Sequence, residues 1–147
     1  MVAGTITSDS GVIGALSVKS LSIGDNAVTV PVSVSFSGTA PTGFITFAAF
    51  TVYVDTTGLA GKDISVWCLA VSHLTALPSG QGIHVSLDVN GGNVQQYAAS
   101  AAEAILSWKH TFTASGGVDG ATFQLYGRVF NNTQGYDGTM FALATKR

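Results

Sequence analysis

The chain has 147 residues and a mass of 15.0 kDa, the size of one domain whose core is stable without disulfides or bound metals. Hydrophobic residues make up 46% of it and charged residues only 10%, a composition that excludes a disordered segment. The formal net charge is -2 without a basic cluster, so no nucleic-acid partner is expected, and one cysteine excludes a disulfide framework.

No run of about 18 apolar residues is present, so we expect a soluble chain without a transmembrane helix or a membrane partner. The N-terminus lacks the cationic start and the apolar stretch of a secretory signal, so we expect the chain to stay in the compartment where it is made. Composition is even along the sequence and no internal repeat is present. These features favour a single folded domain.

Residues 1–15 mix glycine and hydroxyl residues with isolated apolar ones. This composition predicts an extended N-terminal arm that pairs with a neighbouring sheet edge and places Ile6, Val12 and Ile13 in shallow pockets. A frayed terminus is the alternative interpretation. The folded domain is then expected to cover residues 16–147.

Short runs of β-branched and aromatic residues alternate with clusters of Gly, Asn, Asp, Ser and Pro along the chain. The clearest run, residues 28–36, has apolar side chains at every second position. Pro31 lies inside it and predicts an edge strand or a bulge, because proline cannot donate to a β ladder. The other predicted strands cover residues 16–23, 44–54, 64–74, 82–89, 105–113, 122–130 and 139–145.

One helix is predicted over residues 94–104, where Asn93 can serve as the N-cap and several alanines favour helical structure. About eight strands in a domain of this length predict an all-β fold. We expect a two-sheet β-sandwich of the jelly-roll type with one short helix. A closed barrel is the alternative, because periodicity does not determine the strand order.

Two predicted strands, residues 44–54 and 64–74, are apolar on both faces, although a sandwich strand needs only one apolar face. Something must cover the second face, either another part of the same chain or a partner protein. If a partner covers it, the predicted interface residues are Phe47, Tyr53, Trp67, Leu69 and Val71.

No catalytic signature is present in the sequence. His73, His84 and His110 lie in different predicted strands, and their spacing matches no metal-binding or nucleophile motif. Structural histidines are the simpler interpretation. We therefore expect no enzyme activity, no metal and no cofactor, although a site assembled from scattered residues is not excluded by sequence.

Two further features point to ligand binding. Asp88 and Asn90 offer oxygen atoms at alternate positions, as in the first part of many calcium loops, although a plain Asn-Gly hairpin is the favoured interpretation. Tyr136 lies between a glycine and an aspartate and is predicted to be an exposed loop aromatic that can stack on a sugar ring.

A small β-sandwich with an N-terminal arm, little charge, no catalytic motif and an uncovered apolar face resembles the capsid decoration proteins of tailed bacteriophages. The resemblance is one of overall type across the whole chain. It implies a non-enzymatic structural protein, a homotrimer that strengthens the shell of the major capsid protein in a virion assembled in the host cytoplasm. Attachment through several copies at once would make binding nearly irreversible.

Two other functions remain open at this point. A carbohydrate- or receptor-binding module, such as a tail-fibre domain, would use Tyr136 together with Asp88 and Asn90. A small capsid subunit is the third possibility.

Overall fold

The computed structural model describes residues 29–76 and 79–146, and these ranges contain eight strands. They form two antiparallel four-stranded sheets, with the orders β1-β8-β3-β6 and β2-β7-β4-β5. The predicted all-β, two-sheet sandwich is confirmed. The strands are β1 (Thr29–Ala40), β2 (Ile45–Asp55), β3 (Asp63–Leu74), β4 (Ile83–Val89), β5 (Gly92–Ala99), β6 (Glu103–Thr113), β7 (Val118–Val129) and β8 (Gln134–Lys146).

The two halves of the chain pair with each other strand by strand. β1 pairs with β8, β2 with β7, β3 with β6 and β4 with β5, as in a long hairpin. The hairpin is folded over into two layers, because β8 also pairs with β3 and β7 also pairs with β4. This is the jelly-roll arrangement. β1 lies at an edge of its sheet, as Pro31 predicts.

The helix predicted over residues 94–104 is wrong, since this segment contains most of β5 and the start of β6. Asn90 and Gly91 have φ angles of 50° and 80°, and the positive φ at both positions gives the two-residue turn that joins tightly paired strands. The turn returns the chain alongside β4, and the resulting ladder outweighs the small helix preference of alanine. No helix lies within residues 29–76 or 79–146.

Two other predictions lie outside the described residues. These are the strand over residues 16–23 and the N-terminal arm over residues 1–15. The eighth strand of the sandwich is instead β5, in the segment for which a helix was predicted.

The core lies between the two sheets, because alternate residues of each strand face the opposite sheet. In β3, every second residue from Ile64 to Leu74 is buried, whereas the residues between them are exposed or half-buried. The largest fully buried side chains come from both sheets and include Phe123, Ile64, Leu74, Ile83, Leu87, Leu106, Leu125 and Met140. This alternation determines which residues remain on the two outward faces.

A β-bulge turns Phe47 into the core. The pairing of β2 with β7 shifts between Thr46 and Ala48, so Phe47 and Ala48 are both buried. The Phe47 ring lies directly against Gly127, where an added Cβ would overlap it. The prediction that Phe47 faces outwards is therefore wrong, because a bulge breaks the two-residue alternation on which it depended.

Tyr136 is also buried, with 6% of its surface exposed. It lies in β8, and its ring stacks on Phe47 with centroids 3.9 Å apart and an angle of 14° between the planes. Phe36 of β1 contacts both rings, at centroid distances of 6.0 and 6.1 Å. The prediction of an exposed loop aromatic at Tyr136 is therefore wrong, because β8 begins before this residue and points its side chain inwards.

We expect Gly127→Ala to lower the free energy of unfolding by roughly 1 to 3 kcal/mol, because the new methyl group would overlap the Phe47 ring. Urea denaturation measures this change. Gly43→Ala is the matched control, since an added Cβ meets no atom within 4 Å there, and its effect should stay within about 0.5 kcal/mol. Equal stability of the two variants would contradict the packing of Phe47 on Gly127.

Candidate interaction surface

The outward face of the β1-β8-β3-β6 sheet carries a continuous group of apolar side chains. Trp67 and Leu69 of β3 lie beside Leu143 and Phe141 of β8, respectively. On the other side of β3, Val71 lies beside Ile105 of β6. We call this group the outer patch; its six residues are Trp67, Leu69, Val71, Ile105, Phe141 and Leu143.

Most of the outer patch is open to solvent. Trp67 is 52% exposed and Ile105 56%, and Leu69 and Phe141 are 42% and 39% exposed. Val71 and Leu143 are half-buried between these neighbours. An apolar group of this size on one face of a sheet is typical of a surface that contacts another protein.

The outward face of the second sheet is different. Its central strands, β7 and β4, alternate buried apolar residues with polar ones that point outwards. The outward residues of these strands are Thr122, Gln124, Tyr126, Arg128, His84, Ser86 and Asp88. Only one of the two sheets therefore presents an apolar face along its central strands.

Charged side chains lie at both ends of the outer patch. At one end, the Lys109 ammonium lies over the Trp67 ring, 5.6 Å from its centroid. At the other end, His73 Nδ1 lies 3.4 Å from Asp137 Oδ1. Glu103 is the partner of His73 on the other side of β3 and is exposed. The patch is thus basic at one end and mainly acidic at the other.

The predicted interface residues fall in four places. Trp67, Leu69 and Val71 are brought together in the outer patch. Tyr53 is exposed on the outward face of the other sheet, and Phe47 lies in the core. The remaining predicted residues lie outside the described part of the chain and are Ile6, Val12 and Ile13.

Sequence reasoning missed Ile105, Phe141 and Leu143 as members of the patch. All three lie in strands that were predicted, and all three occupy outward positions in a two-residue alternation. The missing signal was the strand order, because only the pairing of β3 with both β6 and β8 places them beside Val71 and Leu69.

The polar groups of the β4–β5 hairpin bind each other. Asn90 Oδ1 accepts a hydrogen bond from the Thr122 amide at 2.9 Å, which attaches the turn to β7. Asp88 Oδ1 accepts hydrogen bonds from Asn93 Nδ2 at 3.0 Å and from Ser86 Oγ at 3.1 Å. These contacts fit the hairpin interpretation of this segment better than a calcium loop.

The histidines and the cysteine do not form a reaction centre. His73 and His84 point outwards from opposite sheets, and burial lowers the pKa of both His84 and His110. The nearby Arg128 guanidinium lowers the pKa of His84 further. Within residues 29–76 and 79–146, no three histidine, cysteine or acidic side chains are grouped as metal ligands.

No family model and no curated protein matches this sequence. Among solved structures, the chain is similar to the infectious bursal disease virus VP2 subviral particle, with 8% identity and a TM-score of 0.44 over 82% of this chain and 33% of that one. It is also similar to the Desmodium yellow mottle tymovirus structure, with 10% identity and a TM-score of 0.32 over 78% and 87% of the two chains.

A third similar structure, of dimeric latent PorU from Porphyromonas gingivalis, has 11% identity and a TM-score of 0.39 over 80% of this chain and 13% of that one. The chain spans about a third of the length of the VP2 chain. Similarities at this level say nothing about what the chain binds. In the part of the chain that the structure describes, no helix is long and apolar enough to cross a membrane.

Burial raises the pKa of the Cys68 thiol to about 12, and its side chain faces the core. Because the thiolate is the reactive form, we expect the folded protein to react with a disulfide reagent such as DTNB at least about 100-fold more slowly than the protein in concentrated urea. Absorbance of the released thiol measures both rates. Fast labelling without denaturant would contradict the burial of Cys68.

Proposed function

We propose that this chain is a non-enzymatic structural protein of a virion, which binds and stabilises a capsid surface as a homo-oligomer. The outer patch is the observation that carries the proposal. One sheet has an apolar outward face along β3, β8 and β6, whereas the other sheet presents polar residues along β7 and β4. This difference favours a protein that docks through one face of its sandwich.

The size of the outer patch favours binding through several copies. Its exposed apolar surface is on the order of 400 Å², which corresponds to about 10 kcal/mol of gross hydrophobic free energy. Association costs are of similar size, so one copy would bind weakly. A homo-oligomer joined through the patch attaches to a shell through several copies at once and binds far more tightly, because the later contacts form within the same complex.

The resemblance to capsid decoration proteins supplies the partner in this proposal, a shell of major capsid protein in a tailed bacteriophage. It also implies three copies of the chain in each attached unit. The residues of the arm, with Ile6, Val12 and Ile13 as its contacts, would pair with a sheet edge of a neighbouring copy or of the shell. β1 supports this part of the proposal, since it is an edge strand and follows the arm in sequence.

The carbohydrate-binding alternative depended on three side chains that contact other groups of the same chain. Tyr136 is buried against Phe47, and the Asp88 and Asn90 side chains bind neighbouring groups of their own sheet. No observation within the described residues favours a sugar at this position over the assembly function.

We expect Leu69→Asp to convert the assembled protein into a folded monomer of 15.0 kDa, because it places a charge at the centre of the apolar contact. The dissociation constant should rise about 30-fold or more. Light scattering coupled to size exclusion, over a dilution series, measures the mass.

Gln96→Asp is the matched control for Leu69→Asp. It adds the same charge at an exposed position of β5, opposite Ser86 on the outward face of the other sheet, and should leave the mass unchanged. If the unmodified protein is a monomer at every concentration, the proposed homo-oligomer is wrong. If Leu69→Asp assembles normally, the outer patch is not the contact.

Deletion of residues 2–12 should leave the unfolding midpoint of the domain unchanged, because the eight described strands and their core lie outside that segment. Association should weaken, since the arm contributes backbone hydrogen bonds to a neighbour in this proposal. Thermal unfolding and the same dilution series test the two expectations. Equal association with and without the segment would remove the arm from the proposed assembly.

A further inference from the structure

We infer that the outer patch is covered by the outer patch of a second copy of this chain. The two copies are related by a two-fold axis that lies in the contact plane and crosses the strands at the level of Ala70 and Leu106. The inference rests on the proposed homo-oligomer and adds the orientation of the copies: it assigns the outer patch to a two-fold pair, where the resemblance to decoration proteins implies three copies. Its support comes from the arrangement of charges around the patch and from the area of the sheet.

The outward side chains of β8, β3 and β6 form rows across the sheet, because paired residues of neighbouring antiparallel strands lie side by side. Glu103 lies in the first of these rows and Lys109 in the last, about 20 Å away along β6. The two side chains therefore do not contact each other within one copy. From the acidic to the basic end, the rows are Asp137, His73 and Glu103; Thr139, Val71 and Ile105; Phe141, Leu69 and Ser107; and Leu143, Trp67 and Lys109.

If the strands of the two copies are to be aligned, the two-fold axis lies either along the strands or across them. An axis parallel to β3 keeps each row opposite the same row and exchanges β6 with β8, so Glu103 of one copy faces Asp137 of the other. An axis across the strands reverses the order of the rows and keeps β6 opposite β6. Glu103 of each copy then faces Lys109 of the other, which makes two opposite-charge pairs. Charge complementarity therefore selects the axis across the strands.

The same orientation places apolar side chains together at the centre of the contact, because Val71 of each copy lies opposite Leu69 of the other. Around this centre apolar residues meet polar ones, with Ile105 opposite Ser107 and Trp67 opposite His73. Outward-facing side chains of two sheets pack in this way when the sheets are about 10 Å apart. The contact of Lys109 with the Trp67 ring places its ammonium at the end of the patch, close to the position of the partner's Glu103 in this orientation.

The area of the sheet is sufficient for such a contact. Four strands about 4.8 Å apart, with eight or nine residues each at about 3.4 Å, give a face on the order of 550 Å² per copy, or about 1,100 Å² for a pair. Specific interfaces need about 1,000 Å². The contact is close to this lower limit, so the two ion pairs should have a measurable effect on the dissociation constant.

A charge exchange tests the inference directly. Lys109→Glu and Glu103→Lys each place like charges opposite each other in the two-fold contact, and each should raise the dissociation constant about tenfold. The double variant restores opposite charges and should lie within about threefold of the unmodified protein. Sedimentation equilibrium of the full chain measures the constants, and circular dichroism verifies that each variant is folded.

The double variant and Lys109→Glu both lose the Lys109 contact with Trp67 within one copy. Any difference in association between these two variants therefore comes from the charges that face each other between copies. Lys62→Glu is the matched control, with the same change of charge at an exposed residue that lies outside the rows. It should bind like the unmodified protein.

The outcomes distinguish the inference from the proposed function. A double variant that binds as weakly as the single variants, in a protein that still assembles, overturns the two-fold contact and leaves the homo-oligomer intact. A trimer whose association does not change in either single variant also overturns it, because a three-fold contact joins two different surfaces of the chain. An unmodified protein that stays monomeric overturns both. Restored association in the double variant supports the two-fold contact.

Discussion

Antiparallel pairing between the two halves of the chain is the constraint on which the rest of the structure depends. The four pairs from β1 with β8 to β4 with β5 join every strand to a partner, and the fold into two layers then buries the inward face of the central strands. Because β8 also pairs with β3, residues from three distant parts of the chain meet on one outward face. The outer patch is a product of this pairing rather than of any single segment.

The two sheets use their outward faces differently although they share one core. Polar side chains on β7 and β4 hydrogen bond to one another, as is common on the exposed face of an antiparallel sheet. On β3, β8 and β6 the outward positions hold large apolar residues, and their charges lie at the ends of the patch. This division fits the proposed assembly through one face of the sandwich.

Local patterns in the sequence were sufficient for seven of the eight strands and for the edge position of Pro31, because strand alternation and proline chemistry are local. They were insufficient where pairing with distant residues determines the conformation of a segment or the direction of a side chain. The Asn90 and Gly91 turn made residues 92–99 a strand in spite of their alanines, and the bulge at Thr46 moved Phe47 inwards. Trp67, Leu69 and Val71 could be identified from β3 alone, whereas Ile105 and Phe141 required the strand order.

The nested pairing also has a consequence for how the chain folds. The β4–β5 hairpin closes a loop of only two residues, and once it forms, each outer pair is brought together by the pair inside it. Folding can therefore proceed from the Asn90 turn outwards, although most of the contacts join residues far apart in sequence. In that order the pairing of β1 with β8 comes last. The outer patch then becomes complete only when β8 has joined β3, after the inner strands have paired. In the proposed homo-oligomer, association would therefore follow the folding of each copy.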